Sequence, residues 1–219
     1  MALARKELGG KSWLDYDPAW LDAEAGSQLH QQLVEEVSWE RRPITVFGKE
    51  VLQPRLIGWA GDKPYKYSGQ VLEPRAFGPA LQALLDRVNA ETGLGFDHVL
   101  LNRYRDGADH MGMHADDEPE LGEDPQIAAL SLGAKRKLVF EPKPKKLRKK
   151  KLAVPLDHGS LLVMGGRIQH AWRHGVPKAL RVEEERVNVT FRKLVYLPGE
   201  APKPTRRGPP RPVAPTDAE

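Results

Sequence analysis

Residues 186–192, Arg-Val-Asn-Val-Thr-Phe-Arg, alternate strictly between polar and apolar side chains. This period of two predicts a β-strand that buries the face of Val187, Val189 and Phe191. The opposite face carries four polar side chains: Arg186, Asn188, Thr190 and Arg192. At the usual rise of a strand they form a row of donors about 20 Å long. Because arginine binds carboxylate through a bidentate fork, the row suits a small dicarboxylate; the plainer interpretation is an amphipathic strand with a solvated polar face.

The second half of the chain contains further short apolar runs, separated by turn residues. They read HVLLNRY (98–104), IAALSL (127–132), KLVFE (137–141), KLAVPL (151–156) and SLLVM (160–164). Many short strands in series, without alternating helices, predict a β-sandwich or barrel. In the first run Asn102 and Tyr104 share one face, so they can add an amide and a phenol to the same polar pocket.

Two amphipathic helices are predicted before this β-rich half. The first covers residues 18–38, where apolar side chains recur at near-helical spacing. The second covers residues 79–91, since Pro79 suits a first helical turn and Gly93 follows the predicted end. The fold class is therefore α+β and mainly β.

The organisation of the chain follows from these elements. We expect an irregular lead-in over residues 1–17 and a single domain over residues 18–197. Residues 18–95 of that domain hold the helices and short strands, and residues 96–197 hold the β core. The last segment, residues 198–219, has seven prolines in 22 residues and is predicted to be disordered.

The composition excludes several kinds of site. The chain has 219 residues and no cysteine, which excludes disulfides, zinc–thiolate sites, iron–sulfur clusters and cysteine nucleophiles. No run approaches the roughly 20 apolar residues of a membrane helix, and the first residues lack the apolar core of a signal peptide. We therefore expect a cytoplasmic protein without a membrane partner, in which histidine and carboxylate side chains would hold any metal.

An H-x-D pair, His114 and Asp116, predicts a metal site. On an extended segment residues i and i+2 point to the same face, so both side chains can reach one ion. Our choice of third ligand is His170, which follows the run at 160–164, and His174 is its closest rival. Two imidazoles and one carboxylate form a facial triad with open positions, which is typical of non-haem Fe(II) chemistry with O₂. The alternative is a structural histidine beside a surface aspartate.

The basic character of the chain comes from one local run. Residues 142–151 (PKPKKLRKKK) contain seven basic and no acidic residues, whereas the whole chain has a net charge of +4. Such a run is typical of phosphate binding, because neutralised phosphates release counterions. A solvated loop or a nuclear-import signal has the same pattern. The basic residues are Lys143, Lys145, Lys146, Arg148, Lys149, Lys150 and Lys151.

The order of these motifs resembles one known family. N-x-Y, H-x-D, a distant histidine and R-x-N-x-T-x-R follow one another as in the AlkB family of Fe(II)- and 2-oxoglutarate-dependent dioxygenases. Four longer stretches are similar to the branch that repairs double-stranded DNA: HADDEPEL (114–121), AALSLGAKRKLVFEPK (128–143), PLDHGSLLVM (155–164) and RVNVTFRKL (186–194). The resemblance covers roughly residues 40–195.

The resemblance implies a double-stranded β-helix, or jelly-roll, core with N-terminal helices and a nucleotide-recognition lid. It implies Fe(II) bound by His114, Asp116 and His170, with O₂ as reactant and ascorbate as reductant in an assay. The 2-oxoglutarate site that it implies comprises Asn102, Tyr104, Arg186, Asn188, Thr190 and Arg192, with Arg186 on the distal carboxylate. Enzymes of this kind convert 2-oxoglutarate into succinate and CO₂ and hydroxylate an N-methyl group, which leaves as formaldehyde.

The resemblance also implies that the damaged base is flipped out of the helix. Tyr67 would stack on one face of the base and His114 on the other, with Tyr65 and Trp59 as neighbours. Asp117, with Glu118 beside it, would attract a methylated base that carries a positive charge. The alternative is that these aromatic residues pack the edge of a sheet.

Two further segments resemble DNA contacts of the same branch. Val46, Phe47, Gly48 and Lys49 resemble a finger that fills the gap left by the flipped base, as apolar wedges do elsewhere. The alternative is an ordinary β-turn with Phe47 in the core. The basic run at 142–151 falls where the branch has a hairpin that grips the complementary strand.

We therefore predict oxidative repair of N-methyl lesions in alkylated DNA, with a duplex substrate and a monomeric enzyme. The lesions are 1-methyladenine, 3-methylcytosine and etheno adducts. In a bacterium the protein would be nucleoid-associated, and in a eukaryote it would be nuclear. The alternatives are a related dioxygenase acting on RNA or protein, a non-catalytic nucleic-acid-binding jelly roll, and a structural β-sandwich. Residues 72–82 and the acidic run at 183–185 depart from the family pattern and leave the lesion range open.

Overall fold

The protein is described from a computed structural model that covers residues 3–46, 49–144 and 150–196. Phe47 and Gly48 of the predicted finger, basic residues 145–149 and the tail from 197 onward lie outside these ranges. None of the helices within them is long and apolar enough to cross a membrane.

The described chain is built mostly from antiparallel strands. In chain order the strands are β1 (Ala4–Gly9), β2 (Ser12–Asp17), β3 (Pro43–Val46), β4 (Lys49–Leu52), β5 (Leu56–Gly61), β6 (Tyr65–Tyr67), β7 (Gln70–Leu72), β8 (His98–Tyr104), β9 (Met111–His114), β10 (Ile127–Gly133), β11 (Arg136–Pro142), β12 (Leu152–Leu156), β13 (Leu161–Gly166), β14 (Trp172–Val176) and β15 (Arg186–Arg192). The helices are α1 (Ala23–Glu36), α2 (Pro79–Thr92) and the four-residue α3 (Ile168–Ala171), with a 3-10 turn at Pro119–Leu121.

Two sheets and two hairpins organise these strands. The larger sheet has the spatial order β1-β2-β13-β10-β15-β8-β5, and the smaller sheet has the order β12-β11-β14-β9. The hairpins are β3–β4 and β6–β7. We call β3–β4 the finger hairpin and β6–β7 the lid hairpin, after the segments that each contains or adjoins.

Apolar side chains form two cores, one on each face of the larger sheet. The inner core lies between the two sheets and joins residues such as Leu100 and Met164 of the larger sheet to Phe140 of the smaller one. The outer core lies between the larger sheet and the helices α1 and α2, and includes Leu33 and Leu85. The functional pocket described below opens between the two sheets.

The alternation of residues 186–192 has the predicted effect. Val187, Val189 and Phe191 are fully buried in the outer core beneath the helices. The polar side chains of β15 therefore face the smaller sheet, because successive residues of a strand point to opposite faces. The smaller sheet covers this polar face, so Arg186, Thr190 and Arg192 are buried as well and Asn188 is half-buried.

Helix α2 has the end signals that the sequence predicted, whereas α1 is shorter than the predicted range of 18–38 and begins after a cap that was not predicted. Asp22 precedes α1 and its carboxylate accepts a hydrogen bond from the Ala25 amide at 2.8 Å. Helix α2 begins at Pro79 and ends before Gly93, whose φ of 68° is the left-handed conformation that favours glycine. The carboxylate of Glu36 accepts hydrogen bonds from the first amides of α2, so α1 supplies the cap that Gly78 lacks.

The prediction of an irregular lead-in over residues 1–17 was wrong. Strands β1 and β2 form a hairpin there, and β2 pairs with β13 as part of the larger sheet. Leu14 is buried in the inner core, and an added Cβ on Gly165 would lie 2.1 Å from the Trp13 ring. The lack of a side chain at Gly165 therefore allows the N-terminal hairpin to pack closely against β13.

Candidate active site

The structure brings His114, Asp116 and His174 together at the mouth of the two sheets. His114 on β9 is the direct cross-strand partner of His174 on β14, and their ring centroids are 4.4 Å apart. Asp116 follows β9, and its Oδ2 lies 3.5 Å from Nε2 of His174. One candidate ligand atom from each residue lies within 4.8 Å of the others. Two imidazoles and one carboxylate at this spacing form a facial triad.

His170 was the wrong choice of third ligand. It is exposed on α3, where its Nε2 lies 3.1 Å from Oδ1 of Asp124 and close to the carbonyl of Glu123. The error arose because strand β14 was not predicted. The pairing of β14 with β9 places His174 directly opposite His114. The available sequence signal was that Arg173 and His174, as successive residues of a strand, point to opposite faces, with the arginine as the residue expected on the outer face.

The surroundings of the triad hold its members in the state that a metal requires. Burial, and then the neighbouring His174, lower the pKa of His114 to about 4, so its imidazole is neutral near pH 7. The Nδ1 of His114 lies 3.0 Å from the carbonyl of Gly112. Since a carbonyl only accepts, Nδ1 carries the proton and Nε2 is left as the ligand atom.

Asp116 is held as a carboxylate by its neighbours. Burial acts to raise its pKa, but Arg192 and His174 outweigh burial and keep that pKa well below its usual range. Nη2 of Arg192 donates to Oδ1 of Asp116 at 2.9 Å. The amide of Asp116 donates to the buried side chain of Gln169 at 3.0 Å. Both contacts fix the direction of the carboxylate.

A cavity extends from the triad between the sheets. Its polar lining comes from the predicted cofactor residues Asn102, Tyr104, Asn188, Thr190 and Arg192. Its apolar lining comes from both sheets and includes Leu138 and Met164. Apolar walls with a few convergent polar groups are typical of a site for a small organic ligand.

Arg186 lies behind this lining and is completely buried. Its Nη2 donates to Ser131 Oγ at 2.9 Å and to Asn188 Oδ1 at 2.8 Å, whereas its Nε and Nη1 have no partner in the part of the chain that the structure describes. Burial lowers the pKa of the Arg186 guanidinium to about 10. A buried cation with unpaired donors is unfavourable without an anion, so this end of the site suits a carboxylate.

The residues of the site therefore fit Fe(II) and 2-oxoglutarate. The triad offers the donor set of a non-haem Fe(II) centre, and Arg186 offers unpaired donors to a carboxylate. Arg192 lies at the opposite end of β15, against Asp116. The same strand thus places one arginine beside the metal ligands and another farther into the fold.

The predicted base-contacting aromatics are buried in this structure. The exposed fractions of Trp59, Tyr65 and Tyr67 are 6%, 0% and 8%. The Trp59 ring lies 3.4 Å from the guanidinium carbon of Arg75, and its Nε1 donates to the Glu73 carbonyl at 2.7 Å. These contacts favour a packing role for Trp59, the alternative interpretation of its sequence.

The two predicted carboxylates lie in different environments. Asp117 is exposed, and its Oδ2 accepts from Nζ of Lys143 at 2.9 Å. Burial, and then the charge of Asp116, raise the pKa of Glu118 to about 7. The Oε2 of Glu118 is buried without a partner in this structure.

Sequence reasoning missed Arg55, which precedes β5. Arg55 is 5% exposed, and its guanidinium donates to Asn102 of the cavity and to Tyr67 of the lid hairpin. A single arginine between two short strands has no motif around it. The only sequence signal was the residue type, because an arginine that is buried almost always has partners.

The DNA-contacting segments are described only in part. Val46 and Lys49 pair across the finger hairpin, while Phe47 and Gly48 lie outside the described residues. Of the basic run, Lys143 pairs with Asp117, Lys150 is exposed, and Nζ of Lys151 lies 3.1 Å from Oε2 of Glu141. Lys145, Lys146, Arg148 and Lys149 lie outside the described residues.

Comparison with known proteins agrees with this fold and site. The sequence model of the 2OG-Fe(II) oxygenase superfamily matches residues 14–192. The human alpha-ketoglutarate-dependent dioxygenase alkB homolog 3 is 38% identical over 192 residues, which cover 84% of this chain and 67% of that protein. The human DNA oxidative demethylase ALKBH2 is 40% identical over 178 residues, which cover 77% of this chain and 68% of that protein. The chain thus spans about two thirds of the length of these relatives.

A solved structure supports the fold. The structure of OsALKBH1 superposes with a TM-score of 0.55 at 14% identity, and the match covers 87% of this chain and 100% of that one. The predicted mainly β jelly-roll fold is confirmed. The site and fold together define an Fe(II)- and 2-oxoglutarate-dependent dioxygenase. Within that superfamily the chain belongs to the AlkB family.

Proposed function

We propose that the protein demethylates alkylated bases in nucleic acid, with N-methyl lesions of duplex DNA as its substrate. The observation that carries the proposal is the triad of His114, Asp116 and His174 at one end of a cavity backed by Arg186, two of whose guanidinium nitrogens have no partner among the described residues. The relatives add support, since one of them is named as a DNA oxidative demethylase.

Each group in the site has a distinct task in this proposal. His114, Asp116 and His174 hold Fe(II), and Arg186 anchors the distal carboxylate of 2-oxoglutarate, with Tyr104 and Thr190 beside it. Fe(II) and 2-oxoglutarate, bound together, would supply an O₂-dependent hydroxylation in which O₂ is the oxidant, the N-methyl group becomes a hydroxymethyl group, and 2-oxoglutarate becomes succinate and CO₂. The protein's own part is to orient the reactants and to exclude water from a cavity lined by the inner core.

The chemistry of the substrate matches the acidic rim of the site. Methylation of adenine at N1 or of cytosine at N3 leaves a positively charged base. Asp117 and Glu118 lie directly after the metal ligand Asp116. A base held over the metal would meet the Asp117 carboxylate, and a cationic base would favour the ionised form of Glu118, whose pKa is raised by burial to about 7. Attraction between a cationic base and these groups favours methylated over undamaged bases. Etheno adducts are accepted only where the pocket tolerates their shape.

Two segments of the sequence support a duplex substrate. Phe47, which lies between β3 and β4 along the chain, would fill the gap left by the flipped base. The basic run at 142–151 would bind phosphates of the complementary strand in a sequence-independent way. We propose a monomer on DNA, nucleoid-associated in a bacterium or nuclear in a eukaryote.

The test is release of formaldehyde from a duplex oligonucleotide that carries one 1-methyladenine, beside the same lesion in single-stranded DNA and in RNA. We expect release that requires both Fe(II) and 2-oxoglutarate and that is faster on the duplex. Faster release from RNA would replace the DNA substrate by RNA. Consumption of 2-oxoglutarate without formaldehyde from any of the three would contradict demethylation while leaving the dioxygenase intact.

A further inference from the structure

Arg55 occupies a buried position where four parts of the fold meet. Two residues separate it from the end of the finger hairpin, and β5 begins directly after it. Its Nε donates to Oδ1 of Asn102 at 2.6 Å and its Nη2 donates to the Tyr67 hydroxyl at 2.8 Å. A third, longer bond joins Nη1 to the carbonyl of His110 at 3.3 Å, just before β9 and the ligand His114.

The contact with Asn102 fixes which end of that amide faces the cavity. A guanidinium only donates, so the atom that it contacts must be the carbonyl oxygen of the Asn102 side chain. Asn102 also lines the cavity, and its NH₂ group is the end left to face a ligand there. Arg55 thereby presents Asn102 as a donor, which is the polarity that a carboxylate requires.

The contact with Tyr67 ties the lid hairpin to the same guanidinium. Tyr67 is 8% exposed, and no other hydrogen bond of its hydroxyl is recorded among the described residues. The lid hairpin has only three residues in each strand and forms a sheet of its own. A short two-stranded hairpin is marginally stable alone, so it depends on side-chain contacts such as this one.

We propose that Arg55 is a positioning residue that couples binding of 2-oxoglutarate to the ordering of the lid hairpin. A carboxylate that bonds to the Asn102 NH₂ immobilises the amide, which holds Arg55 and, through it, Tyr67. By reciprocity, anything that holds the lid in place strengthens the binding of 2-oxoglutarate by the same factor. The inference rests on the proposed roles of Asn102 and of the lid hairpin in cofactor and base binding.

Hydrogen exchange of the Mn(II)-loaded protein, with and without 2-oxoglutarate, tests the coupling without turnover or nucleic acid. In the wild type we expect 2-oxoglutarate to slow exchange of the lid amides at 65–72 by at least about fivefold, the lower end of usual couplings. In Arg55→Met the slowing should vanish. In Arg55→Lys it should be largely lost, because an ammonium cannot hold both partners in a fixed fork.

Arg103→Met is the matched control. Arg103 is adjacent to Asn102 on β8 but points to the other face, where it pairs with Glu185 at 2.8 Å. The substitution removes an arginine from the strand that carries Asn102 without changing the cavity. The slowing of hydrogen exchange in the lid hairpin by 2-oxoglutarate should therefore persist. Loss of the slowing in Arg103→Met as well would overturn the specific role of Arg55.

Tyr67→Phe covers the case in which an Arg55 variant does not fold, since it removes one hydroxyl and no charge. It should abolish the slowing while 2-oxoglutarate still binds in calorimetry. Slowing that survives in Tyr67→Phe or Arg55→Met, or that is absent from the wild type, would overturn the proposal. Because this readout contains no DNA, it is independent of whether methylated DNA proves to be the substrate.

Discussion

His170 and His174 lie four residues apart and form a matched pair of substitutions. Replacing His174 with alanine removes an imidazole from the cluster with His114 and Asp116. Since loss of an outer contact alone weakens metal binding by about 10–100-fold, we expect loss of a ligand to weaken Mn(II) binding by roughly a hundredfold or more. His170→Ala removes an exposed ring, and affinity should stay within about twofold. Calorimetric titration of the metal-free protein measures both.

The pair also separates metal binding from damage to the fold. Both variants should unfold in a single transition in the absence of metal, which circular dichroism can follow. Weak Mn(II) binding by His170→Ala, with normal binding by His174→Ala, would restore the ligand that the sequence first suggested.

His98 makes the stability of the protein depend on pH. It is 1% exposed, neither ring nitrogen has a hydrogen-bond partner within the described ranges, and its ring centroid lies 4.9 Å from that of Tyr65. Burial, and then the charge of Arg192, lower the pKa of His98 from 6.5 to about 3. The unfolded chain therefore takes up a proton below pH 6.5 that the folded protein does not, and stability falls as the pH drops towards 3.

Substitution of His98 by phenylalanine should remove this contribution. At pH 5 the ring lowers the free energy of unfolding by roughly 2 kcal/mol relative to neutral pH. The free energy of unfolding, measured by urea denaturation, should fall between about pH 7.5 and about pH 5 in the wild type. In His98→Phe this fall should be smaller by about that amount. An undiminished difference would mean that other groups, such as the metal ligands, carry the acid sensitivity.

At the scale of elements, strands were predictable where the signal was local. β15 alternates strictly and β10 is a continuous apolar run, so both could be located from the sequence. β1 and β14 are short and mix charged or glycine residues into the pattern. Such strands are specified by the partner that they pair with, which is distant along the chain and leaves no local period.

The same distinction explains what the sequence indicated about the site. Four of the six predicted cofactor residues share β15 and the other two share β8, so the common face of each set followed from alternation. His174 reaches the metal site through the pairing of β14 with β9, and Arg55 reaches Asn102 from a loop. Neither contact has a spacing rule. The residue types were informative, but only tertiary structure decided between His170 and His174.

The finger hairpin yields a prediction about the substrate. Phe47→Ala should lower the rate of formaldehyde release from a duplex by about tenfold or more relative to a single strand. The reason is that flipping a base out of a duplex costs a few kcal/mol and leaves a gap in the base stack that Phe47 would fill. A single strand has no paired stack in which such a gap forms. The two rates, each measured on an oligonucleotide with one 1-methyladenine, give the ratio directly.

Val51 offers the control on the same hairpin. It is an apolar residue of β4 with an exposed fraction of 48%, and Val51→Ala shortens it without touching the turn. The ratio of duplex to single-strand rates should then remain that of the wild type. Equal slowing of both substrates by Phe47→Ala would remove the finger role and favour a residue that packs the hairpin.

At the scale of the whole molecule, the site lies across the interface of the two sheets. His114 and His174 belong to the smaller sheet, whereas Asn102, Arg186 and Thr190 belong to the larger one. A metal and an organic acid bound together therefore cross-link the two layers. Ligands that bind only the folded state raise its stability, so each should raise the melting temperature in turn.

Arg186→Met separates the stability of the fold from that of the liganded site. In the unliganded wild type Arg186 is buried with two unpaired nitrogens, so methionine should give an equal or higher melting temperature. Mn(II) and then 2-oxoglutarate, each at about 100 times its Kd, should add about 2.7 kcal/mol, or roughly 5–10 °C, per ligand in the wild type. In Arg186→Met the Mn(II) increment should remain and the 2-oxoglutarate increment should disappear. Calorimetry of the protein without ligand, with Mn(II), and with both Mn(II) and 2-oxoglutarate measures these increments. An increment from 2-oxoglutarate that survives in Arg186→Met would place the carboxylate anchor elsewhere. A large drop in the melting temperature of the unliganded variant would mean that the guanidinium stabilises the fold itself.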